Sequence, residues 1–254
     1  MGVEAETVTV TALTHRGAVR KSNQDAIVMG TLTVACADML SPARCVLPVR
    51  EPLILAVADG LGGHAAGEVA SEHAVRRMAE TGAQISDPEL VGQLLKQVDS
   101  EIRDHAEQIQ EFYGMGTTVA GILCTADTNY WFNVGDSRAY RVRGSRLEQL
   151  SMDDSPPLPP SEDGRPATTN FITQSLGGSG ASAMEPHVGT DEATDADGWL
   201  VCSDGLSDLV SPDEMEQLLA AASSDEAAVR TLWQAAMDGS GRDNISILLI
   251  RRGR

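Results

Sequence analysis

Four aspartates in this chain share one local setting: a short apolar run meets an acid, with glycine nearby. They are Asp59 in LILAVADGLGG, Asp136 in YWFNVGDSRAY, Asp204 in WLVCSDGLSD and Asp243 in GSGRDNISILLI, where the acid precedes the run. A carboxylate at the edge of a buried strand is costly unless it is paired or bound to a cation. One Asp-Gly would read as a turn after a strand. Four of them constrain the fold more tightly, because the cost is met if the strand ends converge and the acids share cations. Pairing with side chains cannot serve them all: the chain carries 19 Lys and Arg against 37 Asp and Glu, a formal charge of −18. An oxygen-only ligand set suits magnesium, manganese or calcium. The five histidines form no HExxH pair and the four cysteines no CxxC pair, so zinc is not indicated.

Arg20, in THRGAVRKSNQDAI just before Asp25, adds a second element. Arginine offers two parallel hydrogen bonds to a phosphate dianion. A carboxylate-bound metal cluster beside an arginine points to hydrolysis at phosphorus, where two bridged ions acidify a shared water and hold the phosphate oxygens. Bound cations invert the local field, so a strongly acidic protein still attracts phosphate at that spot. Elsewhere the acidic balance disfavours nucleic acid and anionic membrane, and with them a nuclease. EF-hand loop spacing is missing. No apolar run approaches the roughly 18–20 residues needed to span a bilayer. Met1–Val10 has no signal-peptide pattern. The expectation is a soluble, cytoplasmic monomer with no nucleic-acid or membrane partner. A cytosolic setting argues against a Cys36–Cys45 disulfide.

Strands are expected at Thr7–Leu13, Leu53–Ala58, Thr118–Cys124, Tyr130–Val134, Ala139–Val142, Gly198–Cys202 and Ile245–Ile250. Helices are expected over Glu68–Thr81, after the Asp87-Pro88 cap, after the Ser211-Pro212-Asp213-Glu214 capping box, and from about Asp225 to Asp238. His73 reads as a packed histidine. Met39–Pro52 and the five-proline stretch Ser155–Thr169 read as loops. Blocks of strands and helices, with no repeat and no linker, indicate an α+β fold in one domain.

The segments THRGAVRKSNQDA, LAVADGLGGHAAGEVAS, GMGTTVAGIL, FNVGDSRAYRVR, NFITQSLGG, LVCSDGLSDLVS and GRDNISILLI follow one another from residue 14 to residue 250. In that order they resemble the bacterial branch of the PP2C-type (PPM) metal-dependent serine/threonine protein phosphatases. The resemblance implies a four-layer α-β-β-α sandwich of two antiparallel sheets over residues 1–254, with a short flap at about 151–170. It also implies hydrolysis of phosphoserine and phosphothreonine by a metal-bridging water or hydroxide, on proteins phosphorylated by a serine/threonine kinase. Two core Mn²⁺ or Mg²⁺ ions and a third, looser one are implied as cofactors.

Residue by residue, Asp59 matches the aspartate bridging the core ions, and Gly60 the glycine whose carbonyl binds the second. Asp204 and Asp243 match the other ligands of the first ion, and Asp136 the ligand that shares a third ion with Asp204. Arg20 matches the phosphate-binding arginine. Asp25 matches the acid behind the ligands, while Thr117 and Asn244 fall in supporting positions. Gln24 replaces a glutamate that helps hold the second ion through water in many relatives, which implies a weaker site. Leu61 stands where eukaryotic relatives carry a histidine proposed as general acid, and His64 is not that position. The alternative reading is a pseudophosphatase or scaffold of the same fold, a reading that loss of the metal aspartates would favour; all four are present.

Overall fold

The computed structural model describes residues 6–62, 65–156, 171–179, 183–191 and 197–253. Most of the expected flap, 157–170, and His64 lie outside the described residues. In chain order the strands are β1 (Thr7–His15), β2 (Asp25–Met29), β3 (Leu32–Ala35), β4 (Ala43–Pro48), β5 (Leu53–Leu61), β6 (Gly116–Thr117) and β7 (Val119–Cys124). They continue as β8 (Asn129–Val134), β9 (Arg138–Arg143), β10 (Arg146–Gln149), β11 (Leu176–Gly177), β12 (His187–Asp191), β13 (Gly198–Cys202) and β14 (Ile245–Arg252). The helices are α1 (Ala65–Thr81), α2 (Pro88–Gln108), α3 (Asp204–Ser207), α4 (Pro212–Ala221) and α5 (Asp225–Asp238).

Two antiparallel sheets result. One runs β10-β9-β13-β14-β1-β4. The other centres on β5, which pairs with β2 on one side and β7 on the other; β3 flanks β2, and β8 then β12 follow β7. Strand alternation sets the layers. In β14, Ile245, Ile247 and Leu249 pack with Leu206, Met215, Val229 and Leu232 of the helical layer, whereas Leu248 and Ile250 enter the gap between the sheets. In β5, Ile54, Ala56 and Ala58 face α1 and α2, meeting Ala74, Met78, Leu95 and Val98, while Leu55 and Val57 face the gap. The order is helix, sheet, sheet, helix, the four-layer α-β-β-α sandwich expected above.

Two caps act as read from the sequence, Asp87 accepting from Leu90 N and Ser211 from Glu214 N, and the structure adds a third, Ser224 accepting from Ala227 N. Half of the described strands were not expected from the sequence, β2 and β4 among them. Met39–Pro52, expected as a loop, contains β4, paired with β1 from Thr7↔Pro48 to Ala12↔Ala43. Its exposure alternates along an edge, and that half-exposed pattern in a short, proline-ended run hid it. Asp25–Met29, not anticipated as a strand, lies beside β5 in the sheet interior with all five residues buried. His73 is partly buried and tied to Glu101 at 2.8 Å, and all four cysteines are free thiols.

The inter-sheet layer joins the two sheets through one buried apolar cluster. Ile122→Ala, emptying a fully buried site between the sheets, should cost about 2–5 kcal/mol. Urea denaturation would show it as a lower midpoint with an unchanged slope.

Candidate active site

At one end of the gap the inward-facing positions turn polar. Following each strand's alternation past its last apolar residue leads to Thr14 on β1, Asp25 on β2, Asp59 on β5, Thr118 before β7, Ser137 before β9, Ser203 after β13 and Ser246 on β14. These residues knit together. Thr14 Oγ1 and Ser246 Oγ are 2.7 Å apart, as are Thr118 Oγ1 and Ser137 Oγ. Ser203 Oγ donates to Asp25 Oδ2 at 2.9 Å, and Ser246 N donates to Ser203 Oγ at 3.0 Å.

The acids cluster on this polar layer. Asp25 and Asp59 are direct cross-strand partners. The Asp59 carboxylate is close enough to feel the charges of both Asp25 and Asp204. Asp243 and Asp136 are close enough to act on Asp59 and Asp204 through their charge. Asp59, Asp136, Asp204 and Asp243 keep partial exposure, so the cluster forms an open floor. Yet one oxygen of each of Asp25, Asp136 and Asp204 is sealed from solvent without any hydrogen-bond partner.

Loss of water on the buried sides, then mutual repulsion, raises the proton affinities. Asp25 is pushed up to about 6, mainly by burial. Asp136 is pushed up to about 6 by burial and the neighbouring Asp208. Asp59 and Asp204 are held well above the usual carboxylate range by the same causes.

Arg20 stands over this floor. It donates to Asp243 Oδ2 at 2.7 Å and remains half-exposed, and that hydrogen bond raises its own proton affinity. Asn244 links the Arg20 loop to the floor, donating through Nδ2 to the carbonyls of Arg16 and Ser22 and accepting from Gln24 N. Gln24 contributes its backbone: its carbonyl accepts from Gly60 N at 3.2 Å and from Ser71 Oγ at 2.6 Å. Gly60 can only be glycine here, since a Cβ would lie 2.3 Å from the Gly67 carbonyl and 2.6 Å from that of Gln24. Thr117 Oγ1 donates to the Asp59 carbonyl.

All the expected site residues therefore lie in one region. Asp208 joins them unanticipated. It sits one helical turn after Asp204, its N–H bonded to the Asp204 carbonyl, and accepts from Arg242. The DGLSD spacing was the available signal. Among the described residues no three His, Cys, Asp or Glu side chains form a closed ligand shell. Sealed, partnerless carboxylate oxygens nonetheless match the donor chemistry of a hard cation, whose shell backbone carbonyls and water would complete. A groove of about 510 Å³ opens alongside, lined by Leu61, Arg103, Phe171, Gln174 and Met184 among others.

The protein phosphatase 2C family profile matches residues 35–238. The chain belongs to the protein phosphatase 2C family. The chain is 33% identical over 218 residues to the serine/threonine phosphatase stp of Listeria welshimeri, covering 80% of this chain and 85% of that one. It is 32% identical over 253 residues to the serine/threonine protein phosphatase PstP of Mycobacterium tuberculosis, covering 94% of this chain but only 44% of PstP; it thus spans less than half of that relative. Among solved structures, the catalytic domain of PstP in complex with two manganese ions superposes with a TM-score of 0.75 at 28% identity, covering 98% of this chain and all of that one. Stp1 from Staphylococcus aureus superposes with a TM-score of 0.78 at 25% identity, covering 99% and 96%. The two sheets flanked by helix pairs are thus the protein phosphatase 2C architecture.

A carboxyl whose folded pKa lies above its unfolded value costs stability as it ionises. The cost is absent near pH 4 and complete above about pH 6 for Asp136. In chelator, Asp136→Asn should therefore be more stable than the parent at pH 7, by about 1 kcal/mol or more. The gap should close as the pH falls to 4. Paired urea titrations across that range check it; a gap that widens toward acid would contradict the assigned repulsion.

Proposed function

We propose that this chain is a metal-dependent phosphatase that removes phosphate from phosphoserine and phosphothreonine in proteins. The observation that carries this reading is the floor of clustered acids, with sealed, partnerless oxygens on Asp136 and Asp204, lying under Arg20. Asp59, the Gly60 carbonyl, Asp204 and Asp243 would hold two Mn²⁺ or Mg²⁺ ions, and Asp136 with Asp204 a third, looser one. When bound, such ions supply an acidified water as nucleophile and positive charge for the phosphoryl oxygens.

The protein's own groups do the rest. Arg20 binds non-bridging phosphate oxygens, and its hydrogen bond to Asp243 aims the guanidinium at the floor. Asp25, buried and held by Ser203, backs Asp59 from below. The Gln24 carbonyl braces the Gly60 backbone at the point where an ion would approach it. Partners would be proteins phosphorylated by a serine/threonine kinase, as the relatives' names suggest. A cytoplasmic setting fits four free thiols. Residues 1–254 are read as one domain. Among the described residues no helix is long and apolar enough to cross a membrane.

The purified chain should hydrolyse para-nitrophenyl phosphate and a phosphothreonine peptide with Mn²⁺ and lose that activity in excess chelator. Asp59→Asn and Asp204→Asn should lose nearly all turnover while staying folded. Undiminished hydrolysis in chelator would refute the reading. Arg20→Ala should raise KM for the peptide by one to two decades, since a charge-assisted hydrogen bond is worth about 1.5–3 kcal/mol. The maximal rate should fall less, because Arg20 grips charge present in ground and transition states alike.

A further inference from the structure

The turn that presents Asp136 has an unusual anchor. Gly135 adopts φ +97°, and a Cβ there would strike Thr118 at 2.6 Å. The Asp136 side chain has a sealed, partnerless oxygen, so its stance depends on how this backbone is held. Asn133 Nδ2 donates to the Gly135 carbonyl at 3.2 Å, and the second holder is Asp154, only 7% exposed. Its Oδ2 accepts from Gly135 N at 2.8 Å, and its own N–H donates to the Gly135 carbonyl at 3.0 Å. Its other carboxylate oxygen reaches away from the floor. Oδ1 is hydrogen-bonded to Gln174 Nε2 and to His187 Nε2, each at 2.8 Å, and the Asp154 carbonyl accepts from Thr173 N and Thr173 Oγ1. Gln174 lines the groove beside Leu61, and its Oε1 accepts from Glu185 N. One buried carboxylate thus bolts the Asp136 turn to the segment that frames the groove and to β12.

We propose that Asp154 is a positioning residue that couples the looser cation position at Asp136 and Asp204 to the groove wall carrying Thr173 and Gln174. The inference rests on reading Asp136 as a ligand. Groove and cation position then respond to one another through one residue: displacing Gln174 and His187 frees one oxygen of the Asp154 carboxylate, and the Gly135 N–H loses its fixed acceptor. An asparagine at 154 keeps the size but sets an amide N–H₂ against one of the existing donors, so it breaks one arm of the bolt.

Mn²⁺ binding followed by electron paramagnetic resonance tests this without using turnover. Titrations would compare the parent, Asp154→Asn, the double variant Gln174→Ala/His187→Ala, and Ile122→Ala as a control for destabilisation alone. The parent should fill two tight positions and one weaker one. Asp154→Asn should weaken the third position about 10-fold, the scale of losing a support behind a ligand, and leave the tight pair unchanged. The double variant, altered only on the groove side, should weaken it several-fold and raise KM for a phosphopeptide more than for para-nitrophenyl phosphate. Ile122→Ala should change neither. If Asp154→Asn does not fold, the double variant decides alone. A third position unmoved in both variants, or missing from the parent, overturns the coupling while leaving the phosphatase reading intact. A parent that binds no Mn²⁺ and hydrolyses neither substrate overturns the phosphatase reading itself.

Discussion

Carboxylates that lose water on one side and face like charges on the other raise each other's proton affinity, and the site of this protein is built on that conflict. Asp59 meets both Asp25 and Asp204, with Asp136 and Asp243 close by. Among the described residues Arg20 hydrogen-bonds only the Asp243 corner of the group, while its charge and that of Arg138 offset the repulsion in part. Such an arrangement is unfavourable by itself. It persists because the surrounding core over-determines the backbone: β2, β5, β13 and β14 are each fixed by apolar residues on both faces, so their ends must meet. The stability of the sandwich holds the acids together, and a divalent cation would relieve what the sandwich imposes.

The same geometry explains why the floor is supported so evenly. The gap between the sheets is apolar through Leu55, Val57, Ile122, Val201 and Leu248. One step further along the same facing positions, β1, β2, β5, β7, β9, β13 and β14 each lead to a hydroxyl or a carboxylate. Buried polar groups need partners, and Thr14, Thr118, Ser137, Ser203 and Ser246 find them in one another and in Asp25. The layer lies between a packed core, which cannot deform freely, and an open floor, which must accept charge. It lets acids be placed accurately without leaving the layer's own hydroxyls unsatisfied.

A net charge of −18 would repel a phosphoprotein if spread over the binding surface. On the reading proposed above, local positive charge would arrive with the ions and with Arg20, while acids elsewhere are partly neutralised. Many of them sit in ion pairs on the helices and strand edges, such as Asp99 with Arg103, Asp153 with Arg138 and Glu101 with Arg77. Steering toward the site is then a property of the loaded floor rather than of the whole surface.

The amino-acid sequence alone was enough to mark Asp59, Asp136, Asp204 and Asp243, because an acid abutting a strand is a chemical anomaly visible at any single position. It also marked two helix caps and half of the described strands, whose signals are local: a side-chain acceptor three residues before its donor, or alternation over a few residues. What it did not mark were features that depend on neighbours remote in the chain. Asp25–Met29 is apolar on both faces because it lies inside a sheet, and β4 is an edge strand only because β1 accepts it. Asp208 joins the floor through one turn of α3, and Asp154 looks like one acid in a polar loop until Gly135, Gln174 and His187 close around it. Local sequence determines which groups carry unusual chemistry. Only tertiary packing decides which of them meet, since long-range strand pairing sets the distances at which charge and hydrogen bonding act.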